Sequence, residues 1–409
     1  MKILYIHQYF TTNEGGGGTR SYDVSRYLVS NGHSVTMICG MNQRAGLHVR
    51  GIRLWKVTWI DGIKVIVLRV PYSNYMSVAA RLFSFFNFSL LSILAGIKER
   101  KIDLVFASST PLTVAIPGVV LSKFRRKPYI FEVRDLWPED LVAAGRMKSG
   151  SIGHRIHEFL ENRSYARASK VILVSKGFHD RLLERNYPDS FLETIELGAD
   201  GELFENVRIN KGFWKEKGLD SKTIAVYTGA HGNANGLYQI LDAAEYLKNR
   251  DDIAIVMIGD GGEKPDLLKE LQQRNLKNVH MFDPVIKKDL PGILAGCHIG
   301  LMILKQITRP RWVTPNKLFD YMFAGLPTLV NFEGTTAEIV EKEKIGITCK
   351  PGSAEDLAQG IQFFTDNPEK RLETGMNARR LAYQKYDRKI LANKMEKTLL
   401  SVVNHNDLR

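Results

Sequence analysis

Twelve short apolar runs, rich in β-branched and aromatic residues and separated by stretches of helical periodicity, leave few folds open to this chain. Six lie in the first half, at residues 3–6, 34–38, 64–70, 104–107, 129–133 and 171–174, and six in the second, at 223–227, 254–258, 279–282, 299–303, 327–330 and 346–349. Strands that alternate with helices specify parallel, doubly wound sheets of the α/β class. A chain of 409 residues exceeds what one hydrophobic core usually serves. The expected architecture is therefore two consecutive Rossmann-like domains, residues 1–196 and 197–380, followed by a basic helical tail, 381–409. The junction is expected in the turn-forming stretch Glu196-Leu197-Gly198-Ala199-Asp200. Nothing in the sequence marks the two halves as a repeat.

Charge is unevenly placed. Residues 1–130 hold 17 Lys and Arg against 5 Asp and Glu, a net +12 of the chain's +13. Such a basic segment points to an anionic partner: nucleic acid, acidic lipid or a phosphate-bearing substrate. No aromatic–basic interleaving or known nucleic-acid module accompanies it, so nucleic acid is not the expected partner. Cys39, Cys297 and Cys349 are far apart and odd in number, which fits a reducing, cytoplasmic compartment rather than a disulfide framework. The N-terminal Met1-Lys2-Ile3-Leu4-Tyr5 is read as a first strand, not a signal peptide.

Four glycines, Gly15–Gly18, follow the first strand and precede Thr19-Arg20 and a helical pattern. Strand, glycine loop and helix start together suit a phosphate, because the backbone can approach closely and free N–H groups face the anion. Two familiar motifs are excluded. Eight residues separate Ile6 from Gly15 and no acid ends the second strand, unlike a dinucleotide fingerprint. Gly18-Thr19-Arg20 also lacks the lysine of a P-loop.

Residues 82–97 carry no charge and are bordered by Arg81, Lys98, Arg100 and Lys101, with Lys123-Phe124-Arg125-Arg126-Lys127 further on. The run is shorter than a membrane span needs and lies between two strands of one expected sheet. Two readings stay open: a buried crossover helix, or a helix that dips Phe and Leu side chains into a bilayer interface.

The second half holds three loop signals at the carboxyl ends of expected strands, where open α/β sheets bind ligands. They are Gly229-Ala230-His231-Gly232-Asn233, Gly259-Asp260-Gly261-Gly262 and Asp283-Pro284-Val285. A helix starting after Pro315, with Asn316, Lys317 and Asp320, ends at Gly325 and feeds an apolar strand.

With these segments in hand, the whole chain resembles the retaining glycosyltransferases of family 4, which have the two-domain GT-B fold with domains facing across a cleft. The glycine loop, Leu197-Gly198-Ala199-Asp200, Gly259-Asp260-Gly261 and Asp320-Tyr321-Met322-Phe323-Ala324-Gly325-Leu326-Pro327 carry the resemblance. Val133-Arg134-Asp135-Leu136-Trp137-Pro138 and Pro315-Asn316-Lys317-Leu318-Phe319 make it most similar to bacterial O-antigen and capsule transferases of N-acetyl-L-fucosamine. The resemblance implies that the second domain holds a UDP-sugar, used as co-substrate with no cofactor. Asp320 would bond the ribose hydroxyls, Asp283 and Val285 would lie by the base, and Lys317 or Lys305 would meet the diphosphate. Gly16, Gly17, Gly18, Arg20, Gly229, His231, Gly232, Asn233, Asp260, Arg309 and Asn316 complete the expected donor set.

The chain also departs from the family. Trp312 stands where many members have the first of two acids, and Ala230 and Asn235 stand where an Arg and a Lys often hold the phosphates. Arg134 and Asp135 stand where a histidine is frequent, so Asp135, Arg134 and, less centrally, Glu132 are the expected catalytic residues. His7, His33, His154, His157, His179 and His280 are scattered and read as structural or exposed. No metal-ligand cluster or DxD motif is found, so metal-independent chemistry is expected. The expected reaction moves an acetamido or 6-deoxy sugar from UDP to a polyprenyl-diphosphate-linked saccharide, peripherally at the inner face of the cytoplasmic membrane. The alternatives are a nucleotide-sugar 2-epimerase of the same fold and a non-catalytic sugar-nucleotide binder; a dehydrogenase is disfavoured by the missing fingerprint.

Overall fold

The computed structural model describes the chain except for residues 43, 44, 72, 74, 75, 306–311, 313, 408 and 409 and the side chains of 406 and 407. Two compact units form: residues 1–196 with 388–409, and residues 197–387.

Unit 1 is an eight-stranded sheet of β1 (Lys2–Ile6), β2 (Ser34–Cys39), β3 (Trp55–Ile60), β4 (Ile63–Leu68), β5 (Leu104–Ser108), β6 (Tyr129–Val133), β7 (Lys170–Leu173) and β8 (Leu192–Thr194). The order is β3-β4-β2-β1-β5-β6-β7-β8. Every pairing is parallel except β3 with β4. β5 and β6 are buried at every residue, as a sheet covered on both faces requires. The antiparallel β3 was not expected, nor was the three-residue β8. β3 returns through Asp61-Gly62, both at positive φ (47° and 77°), the conformation a two-residue hairpin demands. The order in which successive strands are added reverses between β1 and β5, so their carboxyl ends flank a switch point.

Helix α1 (Arg20–Ser30) follows the glycine loop, α2 (Val78–Lys98) crosses from β4 to β5, and α3 (Ala115–Arg125) links β5 to β6. α2 resolves the two readings of its apolar run by having two faces. Phe85, Phe88, Leu91 and Ala95 are buried, while Leu82, Phe83, Phe86, Leu90 and Leu94 lie exposed on the other side. By length and composition it is the one helix among the described residues apolar enough to cross a membrane, but it is built into the sheet's crossover. The helix Arg388–Asp407 packs Leu391, Met395 and Leu399 into the same core as Val24 and Leu28 of α1. The chain thus rejoins unit 1 at 388, not at the expected 381; residues 368–381 form a helix of unit 2.

Unit 2 is a six-stranded parallel sheet of β9 (Thr223–Thr228), β10 (Ile253–Ile258), β11 (Val279–Phe282), β12 (Ile299–Met302), β13 (Thr328–Val330) and β14 (Gly346–Thr348). The order β11-β10-β9-β12-β13-β14 places the switch point between β9 and β12. The Asn316–Ala324 helix ends at Gly325, whose φ of +72° gives a left-handed C-cap, a role glycine fills at little cost.

Candidate active site

In unit 2 the loops after β9 and β10 are joined backbone to backbone. Gly229 N donates to Ile258 O (3.0 Å), His231 N to Asp260 O (2.9 Å) and Glu263 N to His231 O (2.9 Å). The approach is so close that a Cβ on Gly259 would sit 1.8 Å from Gly229 O, so a side chain there would separate the loops. The Asp260 carboxylate turns back onto Gly261 N (2.9 Å). Gly232 lies half-buried beside His231.

This joined turn encloses His231. Its side chain is fully buried, and neither ring nitrogen has a hydrogen-bond partner among the described residues. Burial, then repulsion from Lys264, pushes its pKa down to about 4, so the ring is neutral at pH 7 and offers one donor and one acceptor. A buried polar group left unsatisfied costs free energy.

Lys317, in the first turn of the Asn316–Ala324 helix, reaches the same place. Its Nζ lies 3.8 Å from the centre of the Tyr227 ring and close to Gly229, where a Cβ would be 3.3 Å away. Burial lowers its pKa to about 7, while the Tyr227 face favours the charged form. It forms no ion pair with a carboxylate among the described residues.

Other expected donor residues are engaged by side chains of unit 2. Lys305 Nζ donates to Asn233 Oδ1 (3.2 Å), and Asn233 Nδ2 to Glu263 Oε1 (2.8 Å). Asp320 is nearly buried and ion-paired with Lys287 (2.5 Å). Asp283 is exposed and paired with Lys264 (2.7 Å), whose Nζ also donates to the carbonyls of Gly259 and Phe282. Val285 and Asn316 are half-buried. Lys264 and Lys287 were not singled out from the sequence; each lies far along the chain from the acid it meets. Arg309 lies outside the described residues.

In unit 1 two expectations need correction. Arg20 does not face a ligand. It is buried and spends its guanidinium on Glu132 Oε1 (2.8 Å) and on the carbonyls of Glu196 (2.6 Å) and Ile195 (2.8 Å). Glu132 does not orient a sugar. It is fully buried between Arg20 and Ser108 Oγ (2.5 Å). Burial alone would raise its pKa, but Arg20 and Arg134 hold it below the ordinary carboxylate value. The pair ties β6 to the end of the unit 1 chain path at 195–196.

The rest of that edge is more open. Gly16 and Gly17 have no neighbour within 4 Å of a built Cβ, and Gly17 has φ +99°; Gly18 is half-buried. Asp135 is exposed after β6 and accepts from Thr110 Oγ1. Half-buried Arg134 donates from Nη1 to His7 Nε2 (3.1 Å). Among the described residues no group of His, Cys, Asp and Glu has the makings of a metal site.

Residues 15–198 match the family profile described as "Glycosyl transferase 4-like domain", and residues 210–381 match "Glycosyl transferases group 1". Each compact unit thus carries its own match. The chain is a GT-B glycosyltransferase.

Among curated proteins this transferase is 25% identical over 299 residues to a "Probable glycosyltransferase WbjE" of Pseudomonas aeruginosa, covering 72% of this chain and 74% of that protein. It is 23% identical to a "Putative colanic acid biosynthesis glycosyl transferase WcaI" of Escherichia coli K12, covering 88% and 91%. Among solved structures it is similar to Anabaena Alr3699/HepE in complex with UDP-glucose, at TM-score 0.72 and 18% identity, covering 98% and 100%.

Proposed function

We propose that this glycosyltransferase moves a sugar from a UDP-sugar, with retention and without a metal, to a polyprenyl-diphosphate-linked saccharide of an O-antigen or capsule. The sugar is N-acetyl-L-fucosamine or a related acetamido or 6-deoxy sugar. One observation carries the donor assignment. The switch point of unit 2 has a half-buried ammonium that faces a tyrosine ring but no carboxylate, and a buried neutral imidazole without a hydrogen-bond partner among the described residues, beside the carbonyls and amides of a glycine turn. Departure of a nucleoside diphosphate builds negative charge on its β-phosphate, and preorganised donors and cations lower that barrier. Lys317 and Lys305 supply the positive charge that a metal would otherwise bring, and Asp320, once it exchanges Lys287 for ribose hydroxyls, fixes the nucleoside. In unit 1, Asp135 positions the acceptor hydroxyl. UDP-glucose in HepE and the colanic acid name of the Escherichia coli relative support the donor class and the polysaccharide setting.

The exposed face of α2 fits a peripheral place on an anionic membrane surface. Phe83 and Phe86 are 67% and 66% exposed on a helix that ends in Lys98. Lys123 and Arg125 close the last turn of α3, where Phe124 is also exposed. Aromatic side chains with basic residues at their margins suit the headgroup boundary.

The experiment is a thermal-shift series with nucleoside diphosphates and UDP-sugars, because a ligand of the native state raises apparent stability. UDP and an N-acetylated UDP-sugar should raise the melting temperature, and the same sugar should then appear on a lipid-linked acceptor. No shift with any uridine nucleotide overturns the donor assignment.

A further inference from the structure

Around Glu132, behind the carboxyl edge of the unit 1 sheet, guanidiniums outnumber carboxylates. Two guanidiniums, Arg20 and Arg134, approach a single carboxylate, Glu132. Arg20 takes Oε1 and Ser108 takes Oε2. Arg134 is left without a carboxylate partner among the described residues: its Nη1 donates to His7 Nε2 (3.1 Å) and its backbone N to Ser109 Oγ (2.9 Å). His7 supplies no counter-charge. Burial, then the neighbouring Arg134, drives its pKa well below the ordinary value. With Nε2 accepting from Arg134, Nδ1–H is the donor to Ser21 Oγ (2.8 Å). The group of buried Arg20, Glu132 and His7 with half-buried Arg134 therefore carries a net +1.

A partly desolvated cation with no counter-ion is costly. His7 and Ser109 fix Arg134 by its Nη1 and its backbone, which leaves Nε and Nη2 of the fork unused. Two parallel N–H groups match the oxygens of a phosphoryl group. His7 follows β1 and Arg134 follows β6, the strand beyond β5, so the pair stands at the carboxyl ends of the strands beside the β1/β5 switch point.

The geometry points to Arg134 as the side chain that binds a phosphoryl group of the acceptor, with His7 as its positioning residue. This rests on the proposed diphosphate-linked acceptor, since unit 2 has its own cations for the donor. His7 acts as a neutral hydrogen-bond acceptor that aims the guanidinium, so its role depends on shape and not on titration.

The test uses the full-length protein with saturating UDP to fill the nucleotide site, and farnesyl diphosphate as probe, titrated by intrinsic tryptophan fluorescence. Arg134→Gln should weaken the probe at least tenfold and leave farnesol, which lacks phosphate, unchanged. His7→Phe should weaken it about threefold, and His7→Gln, whose amide oxygen accepts the same bond, should restore most of that loss. Arg134→Ala should regain probe binding with added methylguanidinium, a rescue that a purely structural arginine would not show. In turnover assays the acceptor KM should rise with the donor KM unmoved. Equal farnesyl diphosphate affinity in wild type and Arg134→Gln overturns the inference, as does an equal loss for farnesol or a rise confined to the donor KM. If UDP itself fails to bind the wild type, the donor assignment falls instead, and the two failures are distinguishable.

Discussion

The Arg20–Glu132 pair of unit 1 and the Lys317 and His231 site of unit 2 are opposite electrostatic designs. At the carboxyl edge of unit 1, the buried pair Arg20–Glu132 satisfies itself: carboxylate, guanidinium and two carbonyls use almost all of one another's capacity. At the carboxyl edge of unit 2, His231 has no hydrogen-bond partner among the described residues, and Lys317 meets the Tyr227 ring but no carboxylate. The first arrangement is what a structural pin looks like, and the second is what a waiting ligand site looks like. Buried charge alone therefore does not distinguish function from scaffold; the unused hydrogen-bonding capacity does.

The sharpest way to break this contrast is to truncate one member on each side. Arg20→Met leaves Glu132 buried without its salt-bridge partner, which should cost about 3 kcal/mol of unfolding free energy, measured by denaturant unfolding. The sign with pH follows from the lowered pKa of Glu132. Its stabilisation is present above the unfolded carboxylate value, is lost as pH falls through the folded one, and should be missing at neutral pH in Arg20→Met. A change under 1 kcal/mol would show that the pair is not a pin.

Lys317→Ala should do the reverse: small effect on unfolding, and at least a tenfold loss of UDP affinity and of transfer rate. Asp320→Ala should lose activity to a similar extent. Near wild-type rates in both variants would remove the donor site from the β9/β12 switch point. The lysine also predicts a pH dependence. Its pKa in the free protein is about 7, and a bound diphosphate favours the charged form, so binding takes up a proton above that value. UDP affinity should therefore fall as pH rises from 7 to 8.5, by at most about tenfold per pH unit. Lys317→Arg, which stays charged, should flatten the slope. An unchanged slope in that variant would assign the titration elsewhere.

Outside both edges, Phe83→Ser with Phe86→Ser should lower co-sedimentation with anionic liposomes roughly tenfold at low salt while leaving UDP binding intact, in line with the loss of two partly buried rings. Equal pelleting of wild type and variant would leave α2 without a membrane role.

These outcomes also show where the sequence was readable. Twelve of the strands were visible because buried parallel strands are continuous apolar runs. β3 escaped because Trp55-Lys56-Val57-Thr58-Trp59-Ile60 is an edge strand with a polar side, although Asp61-Gly62 is a strong hairpin signal that would have placed it. Lys317 and Asp320 could be found because they share one short helix with a legible cap. Arg20 was misread for a physical reason: a cation at a helix start after glycines looks like an anion site, and its true partner is 112 residues away. Lys264, Lys287 and His7 have the same character. Each acts through a partner that only the strand order brings near, and no local pattern distinguishes them from surface lysines or a stray histidine.

The smallest expected effect is also the most discriminating test of the unit 2 edge, because stability and binding should move in opposite directions. His231→Phe keeps the ring volume next to Tyr227 and removes both unpartnered nitrogens. Stability should rise slightly at pH 7, since a desolvated polar group is gone. It should rise further near pH 5. The folded-state pKa of His231, about 4, lies below the ordinary unfolded value, so the unfolded chain gains protons first and wild-type stability falls as pH drops below about 6.5. UDP affinity should fall by roughly threefold to fivefold, the worth of one neutral hydrogen bond. A variant that is more stable and binds UDP as well as the wild type would mean that His231 only fills space beneath the glycine turn. A variant that loses both stability and binding would mean that the imidazole holds the turn itself, and the donor phosphate would then be held by the lysines without it.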